Sequence, residues 1–577
     1  MSVETKGVAP LKKIGRASSR LGRAAMPMAM LVGVVGAGAG CRVNSDDLHR
    51  WETTVNGPDK LVAVLTHDKY DKELRVEAAW SLVDMKKRSG QSVGLTRLLE
   101  ELEKLEPKER KDIVAGLWKR LKDKVNQPLQ KTDKGMADPT VTFKDATFAI
   151  YTDEKIDLDP AVRDAMTQSL VEWAVGKDGD KPEDRLAQFE ARMDNTAQAY
   201  GVEQVLRRLG IQAAKKLPTL LSAKTAIKSM RLDSIARVMN DSKPTKAGDP
   251  AFDAMKDEAS KQYARILDGT LGGDYVDAVR DETVAGLKAV AGGKDILDNA
   301  EKLKKYTDAV RDARLTWLFP ILKTVGRKAV VDKLVELAKN DKETKEHRAL
   351  ALAALDGNVD TSSDSQLKDF VAIAKSSAPD EVKSGALGRI GAYPPDQAVK
   401  AYYEFFDAPN WKVRYDGASA VLIQMQKVGD KTKTTAREFL SRLPSKPDQK
   451  MGLGEPSSYG TELAKLPAAL DPKPAIAEAL SSKSLGAQLT ALGWYYANGT
   501  KADLSLLEKA SESKDPIFKC KDDDDCGWDK PGCPVPKAGN PNETENKPVA
   551  TVGDYVNYCV KPAIEARAKA PPADNKK

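Results

Sequence analysis

The side chains able to do chemistry in this sequence are few and unevenly placed. Cysteine occurs as Cys41 and then as Cys520, Cys526, Cys533 and Cys559 within one C-terminal region. Four clustered thiols suit either disulfides or zinc, but the spacing lacks the paired C-x-x-C hooks of a thiolate metal site. His49, His67 and His347 are too scattered to complete a Ser/His/Asp or Cys/His set. Asp522, Asp523, Asp524 and Asp525 form an acidic run whose oxygens would suit a hard cation such as calcium. No Gly-bearing turn and distal Glu at EF-hand spacing accompany it, so it reads first as a solvated acidic loop. The stretch GLGEPSSYG at 452–460 lacks the Lys-Ser/Thr that would reach a nucleotide phosphate. These residues predict no catalytic site, no metal and no cofactor.

The N-terminus reads as an address. A basic stretch leads into AAMPMAMLVGVVGAGAGC, residues 24–41, which is too short and too glycine-rich for a spanning helix. It has the basic, apolar and small-residue regions of a secretory signal, so residues 1–40 are expected to be a signal peptide. The small residues end on Cys41, and this resembles the lipobox of bacterial lipoproteins. Gly38 stands where that class usually has Leu, while Ala39 and Gly40 fit it. The resemblance implies lipidation at Cys41 as the first mature residue. It also implies a membrane-anchored lipoprotein on the periplasmic face of the outer membrane, since Arg42 is not the Asp associated with inner-membrane retention. Ordinary cleavage after Ala39 is the alternative, and it would leave Cys41 a stranded thiol. In an exported chain the other four cysteines make a disulfide framework. Three connectivities are open. The expected one joins Cys520 to Cys559 at the base of an insertion and Cys526 to Cys533 within it.

The elements that would position any site are helical. At 328–357, 365–391 and 396–425 an apolar helix leads through an acidic turn into a second, Ala- and Gly-rich helix. The turn acids are Asp341, Asp380 and Asp407, each followed by a basic residue: Arg348, Lys383 and Arg414. The same grammar recurs at 59–85 with Asp71 and Arg75. One such pair cannot bury its apolar face alone, so pairs must stack. Small residues such as Gly385, Gly417 and Ala418 would let second helices approach closely, and the turn carboxylates would cap helix N-termini or meet their dipoles. The pattern resembles HEAT repeats, a family of antiparallel helix pairs. The resemblance implies an all-α, right-handed α-solenoid of HEAT-like helix pairs, with an irregular helical middle and a disulfide-bearing C-terminal insertion.

The expected organisation is a signal peptide at 1–40, helix pairs at 41–125, an irregular or degenerate helical region at 126–327, clear repeats at 328–430, and C-terminal helical repeats at 431–577. The last part contains a cysteine-rich insertion at 520–548 and a disordered polar tail. Residues 141–155 have enough β-branched character for a short strand or a loop, and 443–460, rich in Pro, Gly and Ser, reads as a long loop. Residues 1–40 hold Lys6, Lys12, Lys13, Arg16, Arg20 and Arg23 against Glu4 alone, so most of the formal net charge of +7 lies there. The near-neutral body gives no reason to expect nucleic acid. The functional expectation is a non-catalytic envelope scaffold, lipid-anchored to the membrane, that binds a protein partner along its helical-repeat surface. The alternatives are an enzyme with a site in the irregular middle, or a structural protein contacting calcium or the cell wall.

Overall fold

The computed structural model describes residues 43–87, 92–133, 135–244, 248–272, 275, 279–408, 410–445, 454–517, 532–537 and 540–569. Cys41, Cys520, Cys526, the Asp522–Asp525 run and the tail from 570 lie outside the described residues. So does the whole of the expected signal peptide.

The repeat at 328–357 shows how these residues make their elements. Gly326, at φ 52°, takes the left-handed conformation that ends helix Ala300–Val325 and turns the chain at little steric cost. Helix Lys328–Lys339 then buries Val330, Val331, Leu334, Val335, Leu337 and Ala338, an apolar stripe at helical spacing. The chain turns at Asn340, and Thr344 caps helix Lys345–Ala354 by accepting from the His347 N–H at 3.2 Å. Helices Asp364–Lys375 and Asp380–Ile390 repeat the unit, as do Pro395–Tyr403 and Trp411–Val428.

First helices pack on first helices of the next pair and second helices on second helices, giving two layers. The second-helix layer continues through Gly454–Leu463 and Leu485–Asn498. One continuous apolar core runs from Leu48 to Ile564. The chain is therefore an all-α solenoid of stacked helix pairs, in which no single pair holds a core of its own. Exposed ion pairs step from pair to pair along it. Lys339 meets Asp369 at 2.6 Å, Lys375 meets Glu404 at 2.9 Å, and Asp356 joins Lys323 at 2.9 Å to Arg389 at 2.7 Å. The two cations hold the Asp356 carboxyl down at about 2.

Three expectations are corrected. Residues 141–152 form a helix, Val141–Thr152, because the apolar residues that suggested a strand, Phe148 and Ile150, are buried among neighbouring helices. A two-stranded hairpin lies just upstream instead, pairing Gln130–Thr132 with Gly135–Ala137. The stretch read as a loop contains helix Gly454–Leu463, whose small residues serve packing. A Cβ on Gly460 would meet the Trp494 backbone N at 2.4 Å, and one on Gly493 would meet Ser457 Cα at 2.6 Å. The two helices touch backbone to backbone, and no side chain fits between them.

The disulfide pairing is the third correction. Cys533 is bonded to Cys559, with Cα atoms 5.4 Å apart. This excludes both expected bonds, Cys520–Cys559 and Cys526–Cys533. The insertion folds back as a hairpin of Gly532–Lys537 and Asn540–Pro548, and its first strand packs on the turn Val556–Val560 of the terminal helical segment. That fold delivers Cys533 to the final helix.

Gly460→Ala should lower stability by about 1–3 kcal/mol through overpacking. Gly388→Ala, whose Cβ meets nothing, should be neutral or stabilise by up to about 1 kcal/mol. Urea denaturation of the two variants checks the contrast.

Candidate functional site

The arginines of three repeats reach back to close the end of the preceding helix. Arg348 Nε donates to the Ala338 carbonyl at 2.9 Å, at the C-terminal end of the preceding helix. Arg75 Nε does the same to Leu65 at 2.7 Å, and Arg185 Nε to Val175 at 2.8 Å. In all three the acceptor lies ten residues upstream and the arginine is buried. Each lock satisfies one of the carbonyls that a helix leaves without an internal partner at its C-terminus. Arg567 closes the last second helix likewise, reaching the carbonyls of Tyr495 and Gly499, each at 2.9 Å from Nη2. Arg185 shows that the repeat device extends into the middle region. The signal for it was present in the sequence: an Arg ten residues beyond the last buried apolar residue of a helix.

The turn acids behave less uniformly. Asp71 caps helix Lys72–Asp84, accepting from the Leu74 N–H at 2.8 Å. Asp341 lies in the turn but Thr344 is the cap, and Asp380 is the first helical residue, preceded by Pro379 with no side-chain cap. Asp407 lies in an exposed turn while Asn410 caps helix Trp411–Val428, accepting from the Lys412 N–H at 2.8 Å. The expectation that a turn carboxylate caps a helix or meets its dipole is corrected as to capping for Asp341, Asp380 and Asp407; Asp380, in the first turn of its helix, is placed to meet the dipole. Thr344 and Asn410 hold the cap positions beyond Asp341 and Asp407, and Asp380 lies one residue past the cap position, inside its helix.

Lys383 and Arg414 also depart from the lock. Lys383 is the fourth residue of its helix, as Arg348 is of helix Lys345–Ala354, but the turn before it is one residue shorter and among the described residues it closes no carbonyl of the preceding helix. Arg414 Nη1 donates to the Ala408 carbonyl at 2.7 Å, and its Nε and Nη2 reach across to Glu455 at 3.1 and 2.9 Å. Both side chains of that pair are almost completely buried. Burial pushes the Glu455 carboxyl up and Arg414 pulls it back, and Tyr459 donates to it at 3.0 Å. This bridge fixes helix Gly454–Leu463 on helix Trp411–Val428.

Above the bridge is a groove of about 430 Å³, walled by the starts of three successive second helices. Leu387 and Val413 form part of its apolar lining, and Trp411 and Tyr415 stand half-buried along it. Trp411 meets Tyr415 edge-on at 6.3 Å, and Tyr415 stacks on Tyr459 at 6.0 Å. Lys383 and Asp416 line the groove, and neither makes an ion pair among the described residues. The Asp416 carboxyl is held above its ordinary range, first by desolvation and then by Asp380. Sequence reasoning missed Trp411, Tyr415 and Asp416. Trp411 and Tyr415 lie one helical turn apart, flanking the buried Val413 and Arg414, and that spacing was the available signal.

The middle region was the expected home of any enzymatic site, and it holds a cluster of buried charge. Lys144 has no exposed surface and donates to Asp145 at 2.5 Å and to the Tyr200 carbonyl. Asp145 accepts from the Ala199 N–H at 2.9 Å, while Lys144 and Arg192 flank the ring of Trp173 at 4.6 and 5.4 Å. Lys144 and Asp145 are spent on each other and on the backbone at Ala199 and Tyr200, Arg192 donates to the Trp173 carbonyl, and solvent does not reach Lys144. Lys256 is also buried, with Nζ on Asn240 at 2.6 Å and on the Thr324 carbonyl at 3.3 Å. Desolvation, with Arg327 and Lys243 nearby, lowers it to about 8.

The histidines are engaged by carboxylates. His347 lies between Glu343 at 3.1 Å and Asp312 at 3.2 Å, His49 between Glu52 at 2.9 Å and Glu77 at 3.1 Å, and His67 meets Asp68 at 3.0 Å. Among the described residues no group of His, Cys, Asp and Glu could hold a metal ion. Among them, too, no helix is long and apolar enough to cross a membrane.

No family model matches this sequence, and no curated protein matches it. Solved structures do. An engineered protein is 16% identical over 79% of this chain and 95% of its own, at a TM-score of 0.19. The UNC-45 chaperone, described as binding and folding muscle myosin, is 13% identical over 80% of this chain and 52% of its own, at 0.23. Kap121p bound to Ste12p is 13% identical over 81% and 47%, at 0.17. This chain spans about half the length of the UNC-45 and Kap121p structures. Likeness at these scores carries no argument, and the helical-repeat class rests on the two-layer packing of this chain itself.

Two measurements follow from this chemistry. Arg348→Leu strands the Ala338 carbonyl and should cost about 1–3 kcal/mol. Arg414→Leu leaves Glu455 buried without its partner and should cost about 3–5 kcal/mol. Lys383→Leu should stay within about 0.5 kcal/mol of the parent. Chemical denaturation of the three variants gives the order. The second measurement concerns pH. Lys256 is lowered to about 8 in the folded chain from its ordinary 10.5, so between those values this group binds more protons in the unfolded chain and its own contribution to stability rises with pH, while Tyr393, Tyr403 and Tyr555, pushed up to about 12, work against it near pH 10. The gain should be on the order of 2 kcal/mol, and Lys256→Met should abolish it. Denaturation midpoints across that window measure the effect.

Proposed function

We propose that this chain is a non-catalytic scaffold of the bacterial envelope. In this reading it is exported, processed and lipidated at Cys41, and holds a protein partner along its second-helix layer at the periplasmic face of the outer membrane. The observation that carries the scaffold is the open groove at Trp411, Tyr415, Lys383 and Asp416, because unpaired charge and half-exposed aromatic surface are what a partner can use. Solenoids commonly use such extended layers for binding, although a fold by itself does not name a ligand. The address rests on the sequence of residues 24–41, and the Cys533–Cys559 bond suits an oxidising compartment.

Fractionation of cells carrying the full chain tests the anchor. Cys41→Ser should move the mature body from the membrane to the soluble periplasmic fraction, or stall the precursor; unchanged processing and membrane association would defeat the lipoprotein reading. Cross-linking in the same cells should trap a discrete protein adduct through a photoreactive residue at Ser384, beside the groove, and its absence there would count against the scaffold.

A further inference from the structure

The groove has a chemistry specific enough to name the kind of segment that fills it. This inference rests on the scaffold reading and deepens it. We propose that the groove binds an extended segment of a partner protein, carrying a large apolar anchor residue flanked by a basic residue on one side and an acidic residue on the other. The anchor lies against Trp411 and Tyr415, the basic residue meets Asp416, and the acidic residue meets Lys383.

Three observations converge on it. The first is shape: the groove opens across the starts of helices Asp380–Ile390, Trp411–Val428 and Gly454–Leu463, so an extended chain laid in it touches three successive pairs. Its volume of about 430 Å³ accommodates one large side chain with its flanking backbone. The second is surface type. Trp411 and Tyr415 are only half-buried, and beside them Leu387 and Val413 extend the apolar lining. Large aromatic surface at the centre of a pocket is where interface energy concentrates.

The third is charge. The neighbouring charges are accounted for within the chain: Arg414 by Glu455 at 2.9 Å, and Lys412 in part by Asp380 at 4.0 Å. Lys383 and Asp416 are the two groove charges left without an ion partner among the described residues. Desolvation and Asp380 disfavour the charged form of Asp416, Lys412 opposes them, and a further cation placed there favours the carboxylate. Opposite charges beside an apolar floor fix the direction in which a segment lies and select its flanking residues. The lost lock at this pair has a use in this arrangement: Lys383, the fourth residue of its helix as Arg348 is of its own, lines the groove instead of closing the preceding helix.

A displayed library of short random peptides, selected on the full chain, tests the proposal. Enriched peptides should share an aromatic or large aliphatic residue with a basic residue to one side and an acidic residue to the other. Their affinity, read by fluorescence anisotropy, should fall at least ~10-fold in Trp411→Ala. In Asp416→Asn it should fall several-fold, with a weaker dependence on salt. Asp416→Lys, a surface change that leaves the fold intact even if Trp411→Ala does not, should reverse the preference, so that peptides with an acidic residue in place of the basic one bind better. Peptides that bind all three variants as they bind the parent would overturn the groove assignment while leaving the scaffold reading in place. Selection of no peptide at all would count against both.

Discussion

The structure depends on the closing of helix C-termini by arginine. Every helix ends in carbonyls that its own turns cannot satisfy, and in a stack of tightly turned pairs those ends are buried. Arg75, Arg185 and Arg348 answer this by reaching back from the first turns of the second helix to the last turn of the first. A lysine could supply charge, but only the guanidinium offers a planar fork whose Nε satisfies the carbonyl while the remaining donors face elsewhere. The angle within those pairs is thereby fixed, and the two layers follow from stacking such units on their neighbours.

Arg414 shows the same residue type doing a larger job. Its turn is longer, so its guanidinium closes the local turn with one arm and crosses to Glu455 with the other. The buried bridge it makes is costly in desolvation and is repaid by the bidentate geometry and the Tyr459 hydroxyl. What it achieves is placement: helix Gly454–Leu463 is held so that Ser458 and Glu455 complete the wall of the groove. The groove is thus a by-product of how Arg414 places this helix on the array.

How much of this was legible in the sequence varies with the physics involved. The pairs at 328–425 were readable because apolar period, acidic turn and small-residue second helix all point the same way. The helix at 454–463 was not, because Gly and Ser mean a loop locally and mean close backbone approach only when Gly493 of the facing helix is known. The helix at 141–152 was missed because β-branched character carries little weight once tertiary burial decides. The turn acids were given a capping role that depends on which residue sits one position before the helix, and Thr344 and Asn410 took it. The disulfide was misassigned because sequence distance does not show how an insertion folds back. The groove residues were invisible as a set, since they come from three helices spread over 380–458.

The locks and the links between pairs differ in kind, and this has a mechanical consequence. Within a pair the hydrogen bonds are buried and indifferent to ionic strength. Between pairs the polar links, Lys339–Asp369, Lys375–Glu404 and the Asp356 bridge, are exposed and screened by salt. A load along the array is therefore taken up by opening the joints while each link keeps its angle, as in a jointed spring. The joint between Gly454–Leu463 and Leu485–Asn498 is the stiff one, because its backbones already touch and have no side chains to slide over. Elasticity is distributed unevenly along the chain, with the groove at the boundary between its compliant and rigid parts.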